Sequence, residues 1–321
     1  MARVDRLRIV GVETWRHVYG RVVGRRGEYP LAQDEAQRYL IALIERLSSV
    51  YFVEVAAFVV MGDHYHMVVH VPAPHPVSRE ELETRARRWY LGRSSAAAVG
   101  SWADEDWERF RERLFDLSEC MRNLQGEFGR WFNDQFHRRG KLWGERYKSV
   151  LLGDLQTVFD CMLYVELNPV RAGIAERPEE WAGSSIHLRT TGEESWLMPL
   201  EDVLEGRSRE EALLEYRQRM SYRGALPPED GLAPIPEELL AEEVALGYVR
   251  EGMFREPLGY FVDGVALGSR EFILEQIAKM REEGRYKRGK NPIPQLGGIH
   301  WSLREQRGHG RHGRSARQRE G

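Results

Sequence analysis

The chain has 321 residues, 30% charged and 42% hydrophobic, with 47 lysines plus arginines against 50 aspartates plus glutamates. At roughly 150 residues per domain it has room for about two domains with a real core. No apolar run reaches the ~18 residues of a membrane span, Met1–Arg6 lacks the apolar stretch of a signal peptide, and two cysteines are too few for a disulfide framework or a cysteine zinc site, so a cytoplasmic protein is expected.

The net charge of −3 argues against a nucleic-acid partner only as an average. Residues 1–30 and 121–150 each carry seven basic and three acidic side chains, a net +4, and residues 279–321 carry twelve against four, a net +8. Residues 176–260 hold nineteen acidic against nine basic side chains, a net −10. Clustered basic charge, mostly arginine, is the footprint of a phosphate-binding surface whatever the total.

In chain order, Thr14–Val23 is rich in β-branched and aromatic residues and reads as a strand. Leu31–Leu47 has helical spacing at Tyr39, Leu40, Leu43, Ile44 and Leu47. Val53–Met61 and His64–Val71 read as two strands joined at Gly62-Asp63 into a hairpin. Arg79–Gly92 and Glu105–Phe136 read as helices, Arg146–Leu152 as a short strand, and Asp154 as the N-cap of a helix running to Asn168 and stopped by Pro169. The order β-α-β-β-α-β predicts an α+β fold: a ferredoxin-like split β-α-β antiparallel sheet, with helices on one face and the other open for binding.

Residues 1–190 are expected to form this domain. Residues 191–283 read as an acidic helical accessory region, with helices over Glu210–Met220 and Glu237–Glu251, a turn or hairpin over Gly259–Gly268, and a helix capped by Ser269. Residues 284–321, rich in Gly, Arg and His, read as a basic disordered tail.

The chemistry centres on His64-Tyr65-His66. Residues two apart in a strand share a face, so the two imidazoles lie together and suit a divalent metal. His70 continues that face roughly 13 Å from His66, too far for joint ligation. On the helix beginning at Asp154, Tyr164 lies off the apolar stripe, one turn after Asp160 and one turn before Asn168, so a phenol and an amide share a helix face.

Four segments carry a family resemblance: His17-Val18-Tyr19-Gly20-Arg21; Gly62-Asp63-His64-Tyr65-His66; Gly140–Ser149 (GKLWGERYKS); and Tyr164–Gly173 (YVELNPVRAG), followed by Trp181 with Ser184 and Ser185. Together, over about residues 10–190, the chain resembles the single-tyrosine HUH (His, hydrophobic, His) transposases, and within them the REP-associated tyrosine transposases. The resemblance implies that Tyr164 is the nucleophile and that His64 and His66 bind Mg²⁺ or Mn²⁺. It implies that Asn168 supplies a third, polar ligand, and that single-stranded DNA beside a hairpin is the substrate, handled by a monomer or a homodimer. Asp63 stands where many relatives have Asn, and His70 replaces a residue that is often acidic.

Arg16, Arg21, Arg146 and Lys148, on strands of the basic blocks, are candidates for DNA-backbone contacts. Tyr147 is the second candidate nucleophile, although its setting between Arg146 and Lys148 in a strand suits packing or base stacking. Trp143 and Trp181 read as core or interface aromatics. Two rivals to a covalent enzyme remain: a hairpin-binding module that keeps the fold without the chemistry, and a metal-dependent hydrolase with no covalent step.

Overall fold

The computed structural model describes residues 9, 11–24, 29–92, 99–224, 259–262, 264–284, 291–295 and 298–303. Four strands form the expected core: β1 (Thr14–Arg21), β2 (Glu54–Val60), β3 (His64–Val71) and β4 (Lys148–Leu152). They lie in the order β2-β3-β1-β4, every neighbouring pair antiparallel, which is the split β-α-β arrangement. The β2–β3 hairpin turns at Gly62-Asp63, where the Met61 amide donates to the His64 carbonyl at 2.8 Å. Pairing aligns Tyr19 with His66 and Arg21 with His64, a register pinned by an apolar alternation that a one-residue slip would invert.

One face of the sheet packs against α1 (Asp34–Ser48) and α4 (Leu117–Gln135). Leu40, Leu43, Ile44 and Leu47 of α1 and Leu124 and Phe128 of α4 bury against Val18, Tyr65, Met67 and Val69. Gly20 permits this: a Cβ there would lie 2.7 Å from the Tyr65 ring, so the close strand–aromatic contact requires glycine. α2 (Arg79–Tyr90) and α3 (Asp104–Leu114) add Leu82, Ala86, Trp89, Trp107, Phe110 and Leu114 to the same core. The expected single helix over 105–136 is thus two, because Asp116 at the break accepts from the Ser118 amide at 2.7 Å and starts α4 afresh as its N-cap.

The opposite face is covered as well, a departure from the open face expected. Here α5 (Leu155–Glu166) packs Val158, Met162 and Val165 over Ala57, Val59, Val68 and Val150, with α7 (Ser185–Thr191) and α8 (Arg209–Gly224) behind it. Asp154 caps α5 as expected, accepting from the Thr157 amide at 2.8 Å. The helix ends at Glu166, two residues earlier than expected, and Asn168–Arg171 forms a separate single turn, α6, with Pro169 in its first turn, where a missing amide hydrogen costs nothing.

The accessory region does not stand apart. Residues Ala266–Gly268 form β5, which joins β4 in parallel; β7 (His300–Leu303) pairs with β5, and β6 (Ile293–Gln295) with β7, giving a seven-stranded sheet. α9 (Arg270–Glu282), capped by Ser269 as expected, places Phe272 over Gly153 and Gly268, where neither residue has space for a Cβ. The second carboxylate oxygen of Asp154 accepts from the Ser269 amide at 3.1 Å, tying the two helix starts together. The turn or hairpin expected at Gly259–Gly268 is instead a 3₁₀ turn, Gly259–Val262, followed by β5. Within the segment expected to be a disordered tail, β6 and β7 are ordered, with His300, Ser302 and Leu303 buried. Short apolar stretches such as Ile299–Leu303 acquire strand structure only by joining an existing sheet edge. The helix expected at Glu237–Glu251, and residues 304–321, lie outside the described residues. Among the described residues no helix is long and apolar enough to cross a membrane.

Candidate active site

The site forms on the sheet face beneath α5. Strand alternation places His17, Tyr19 and Arg21 of β1 on the same face as His64 and His66 of β3. The His64 and His66 rings meet edge to face with centroids 5.1 Å apart. The His17 and His66 rings stack at 5.0 Å, with His17 Nε2 and His66 Nδ1 2.9 Å apart, and the Tyr19 ring stacks on His66 at 5.5 Å. Tyr164 descends from α5 with its ring edge-on to His66 at 5.7 Å and to His17 at 5.9 Å. Residues about 100 positions apart therefore converge, and Tyr164 and the His pair share one site.

Each histidine has a polar partner behind it. His64 Nδ1 lies 2.5 Å from Asp63 Oδ1, and Asp63 also faces Arg21 at 3.6 Å. The His64 hydrogen bond, followed by the charges of His64 and Arg21, holds the Asp63 carboxyl below its usual range despite partial burial. His17 Nδ1 donates to the Phe261 carbonyl at 3.0 Å. Burial lowers His17 to about 4, and burial together with the neighbouring His17, His64 and Arg21 holds His66 well below an ordinary imidazole. Both rings are neutral near pH 7, the form that ligates a metal.

Asn168 lies on the short turn after α5, and its amide nitrogen donates to the carbonyls of Tyr164 at 2.9 Å and Val165 at 3.2 Å. The side chain is thus held at the end of the tyrosine's own helix, with the oxygen as its remaining donor to a cation. Among the described residues, no group of three or more His, Cys, Asp or Glu side chains is placed to hold a metal by itself. The Nδ1 atoms of His66 and His64 are engaged behind the rings, by His17 and Asp63, so Nε2 is the ring nitrogen each would turn to a divalent cation.

The basic candidates separate. Arg21 is exposed beside Asp63, Arg146 is exposed just before β4, and Lys148 lies 5.7 Å over the Tyr19 ring. Arg16 points the other way: it is 6% exposed on the α1–α4 side and bonds Thr14 and Ser149, each at 3.4 Å, so it offers nothing to a DNA backbone. Tyr147 is also on that side, buried, with its hydroxyl donating to Ser118 at 3.1 Å, which removes it as a nucleophile. His70 is held by Glu54 at 2.6 Å and Glu13 at 2.9 Å, away from the His pair. The Trp143 and Trp181 indoles donate to the carbonyls of Gln125 and Val60, as structural aromatics do.

His17, Phe261 and His300 were not among the expected site residues. His17 was legible in principle, because His17-Val18-Tyr19 repeats the alternating aromatic pattern of His64-Tyr65-His66. Phe261 was not: it is fully buried, its ring stacks on Tyr164 at 5.2 Å, and the neighbouring Val262 carbonyl accepts from the Tyr19 hydroxyl at 2.5 Å. His300, from the segment expected to be disordered, bonds Asp160, one helical turn before Tyr164, at 2.8 Å and Thr157 at 3.2 Å.

No protein-family model and no curated protein sequence matches the chain. Among solved structures the chain is similar to a REP-associated tyrosine transposase bound to a REP hairpin, at 16% identity and a TM-score of 0.36, covering 60% of this chain and 86% of the other.

Proposed function

We propose that the protein is a metal-dependent single-tyrosine nuclease and strand transferase acting on single-stranded DNA beside a hairpin. The observation that carries this reading is the convergence of Tyr164 with His64 and His66 at one site on the sheet. Tyr164 presents the nucleophilic oxygen. In the reaction the phenol loses its proton, its oxygen bonds to the scissile phosphorus, and the bond from phosphorus to the 3′-oxygen breaks, leaving a 5′-phosphotyrosine and a free 3′-OH. The covalent bond retains the phosphodiester's energy, so a second 3′-OH attacks the same phosphorus, releases Tyr164 and joins strands without ATP.

His64 and His66 would hold a Mg²⁺ or Mn²⁺, with the Asn168 oxygen adding to the set. Such an ion supplies positive charge that offsets the phosphodiester anion and the charge on the leaving oxygen. Arg21, Arg146 and Lys148 are exposed cations that would hold the DNA backbone.

Incubation with a hairpin-bearing oligonucleotide and Mn²⁺ should give a covalent protein–DNA adduct that disappears in Tyr164→Phe. An undiminished adduct in that variant would falsify the assignment. Hairpin binding with no adduct, indifferent to chelator, would instead identify a non-catalytic binding module. Cleavage that survives Tyr164→Phe but not His66→Ala would identify a hydrolase without a covalent step.

A further inference from the structure

The hydrogen bonds behind the histidines fix which ring nitrogen of each carries the proton. A backbone carbonyl only accepts, so the 3.0 Å contact from His17 Nδ1 to the Phe261 carbonyl requires a hydrogen on Nδ1. His17 is fully buried and its two ring nitrogens meet a carbonyl and an imidazole, neither of them an anion, so the ring stays neutral and its Nε2 carries a lone pair. His66 Nδ1, 2.9 Å away, must then be the donor, and His66 Nε2 is left with its lone pair. The Nδ1 proton of His64 is fixed by another route: it is donated to the Asp63 carboxylate at 2.5 Å.

We propose that His17, anchored by the Phe261 carbonyl, is a positioning residue that locks His66 in the Nδ1–H tautomer, and that Asp63 does the same for His64, so that both histidines present Nε2 to a divalent cation. The inference rests on the metal-binding part of the function proposed above. Groups behind a metal-bound histidine orient the ring and raise its basicity, and their loss costs about 10–100-fold in metal affinity. The arrangement also gives the C-terminal region a part in the site, because the carbonyl ending the relay lies 244 residues beyond His17. It assigns Asp63 a role as well: a carboxylate at this position accepts from an imidazole N–H and adds a negative charge close to the cation.

The test uses the full chain without DNA. Long-range proton–nitrogen NMR of the metal-free protein at neutral pH should show His66 protonated at Nδ1 and bare at Nε2, and His64 protonated at Nδ1; finding Nε2–H on His66 overturns the proposal. Titration with Mn²⁺ alone, followed by calorimetry or electron paramagnetic resonance, should show about 10–100-fold weaker binding in His17→Phe. His17→Gln, whose amide both donates and accepts, should recover most of that loss. Unchanged Mn²⁺ affinity in a folded His17→Phe also overturns the proposal, and because the tautomer is read on the unaltered chain, a misfolded variant does not protect it. If the tautomers and affinities are as stated but no adduct forms with DNA, the proposed reaction fails and the relay stands. If adducts form while His66 carries its proton on Nε2, the relay alone fails.

Discussion

The two faces of the central sheet are built from alternate residues of the same strands, yet they solve different problems. On the α1–α4 face, Val18, Tyr65, Met67 and Val69 meet Leu40, Ile44, Leu124 and Phe128 in an apolar core. On the α5 face, the adjoining positions His17 and His66 are buried and Tyr19 and His64 half-buried, and their polar atoms call for partners. Those partners come from Asp63 at the hairpin turn and from the backbone at Phe261 and Val262. An apolar face needs volume and shape, whereas a polar one needs particular atoms at particular points. The second requirement is the one that drew in a distant segment of the chain.

Substitutions on the two faces should therefore separate stability from chemistry. The largest stability effect is expected at Phe128→Ala in the apolar core, a loss of about 3–5 kcal/mol from lost burial and the cavity left behind. Denaturant midpoints would measure it, and Mn²⁺ affinity below the transition should not change. Weaker metal binding in that variant would mean that the two faces are not independent.

The pH dependence of stability comes next in size, and it has opposite signs in two parts of the α5 side. Folding lowers the His17 pKa from 6.5 to about 4, so the unfolded chain binds the extra proton and stability falls as pH drops from 6.5 toward 4. Folding raises Glu166, buried beside Ser185 and Tyr216, from 4.5 to about 7, chiefly through desolvation. The unfolded chain then releases a proton that the folded one keeps, so stability falls as pH rises from 4.5 to 7. Each shift corresponds to about 3 kcal/mol at its limit. Urea midpoints between pH 4.5 and 8 should show Glu166→Gln gaining on the unaltered protein as pH rises; parallel curves would show that Glu166 is not held protonated.

The smallest effect is expected at Tyr147→Phe, which removes the hydrogen bond to Ser118 and should cost about 1 kcal/mol while leaving adduct formation intact. Loss of the adduct in that variant would reverse the assignment of the two tyrosines to opposite faces.

Much of this was legible in the residues. The hairpin followed from two apolar runs flanking Gly62-Asp63, the start of α5 from Asp154, and the pairing of His64 with His66 from strand period. The break between α3 and α4 was missed because Asp116 lies inside a continuous helical pattern, where its capping role depends on which amides it meets. Arg16 and Arg21 look alike as members of one basic block. Their fates differ because positions five apart in a strand project to opposite faces, and only the packing of helices shows which face is buried.

The sequence by itself determined most local elements, the split β-α-β order and the shared face of His64 and His66, since these depend on short-range periodicity, capping and turn chemistry, whereas the choice of Tyr164 rested on the family resemblance. The tertiary structure alone decided that both sheet faces are covered, that segments near residues 266 and 300 extend the sheet, and that Phe261 reaches the site. Short strands such as Ala266–Gly268 bury too little surface to form alone and gain their hydrogen bonds from a sheet edge. Pairing across more than 100 residues leaves no periodic trace along the chain, so those contacts exist only once the sheet does.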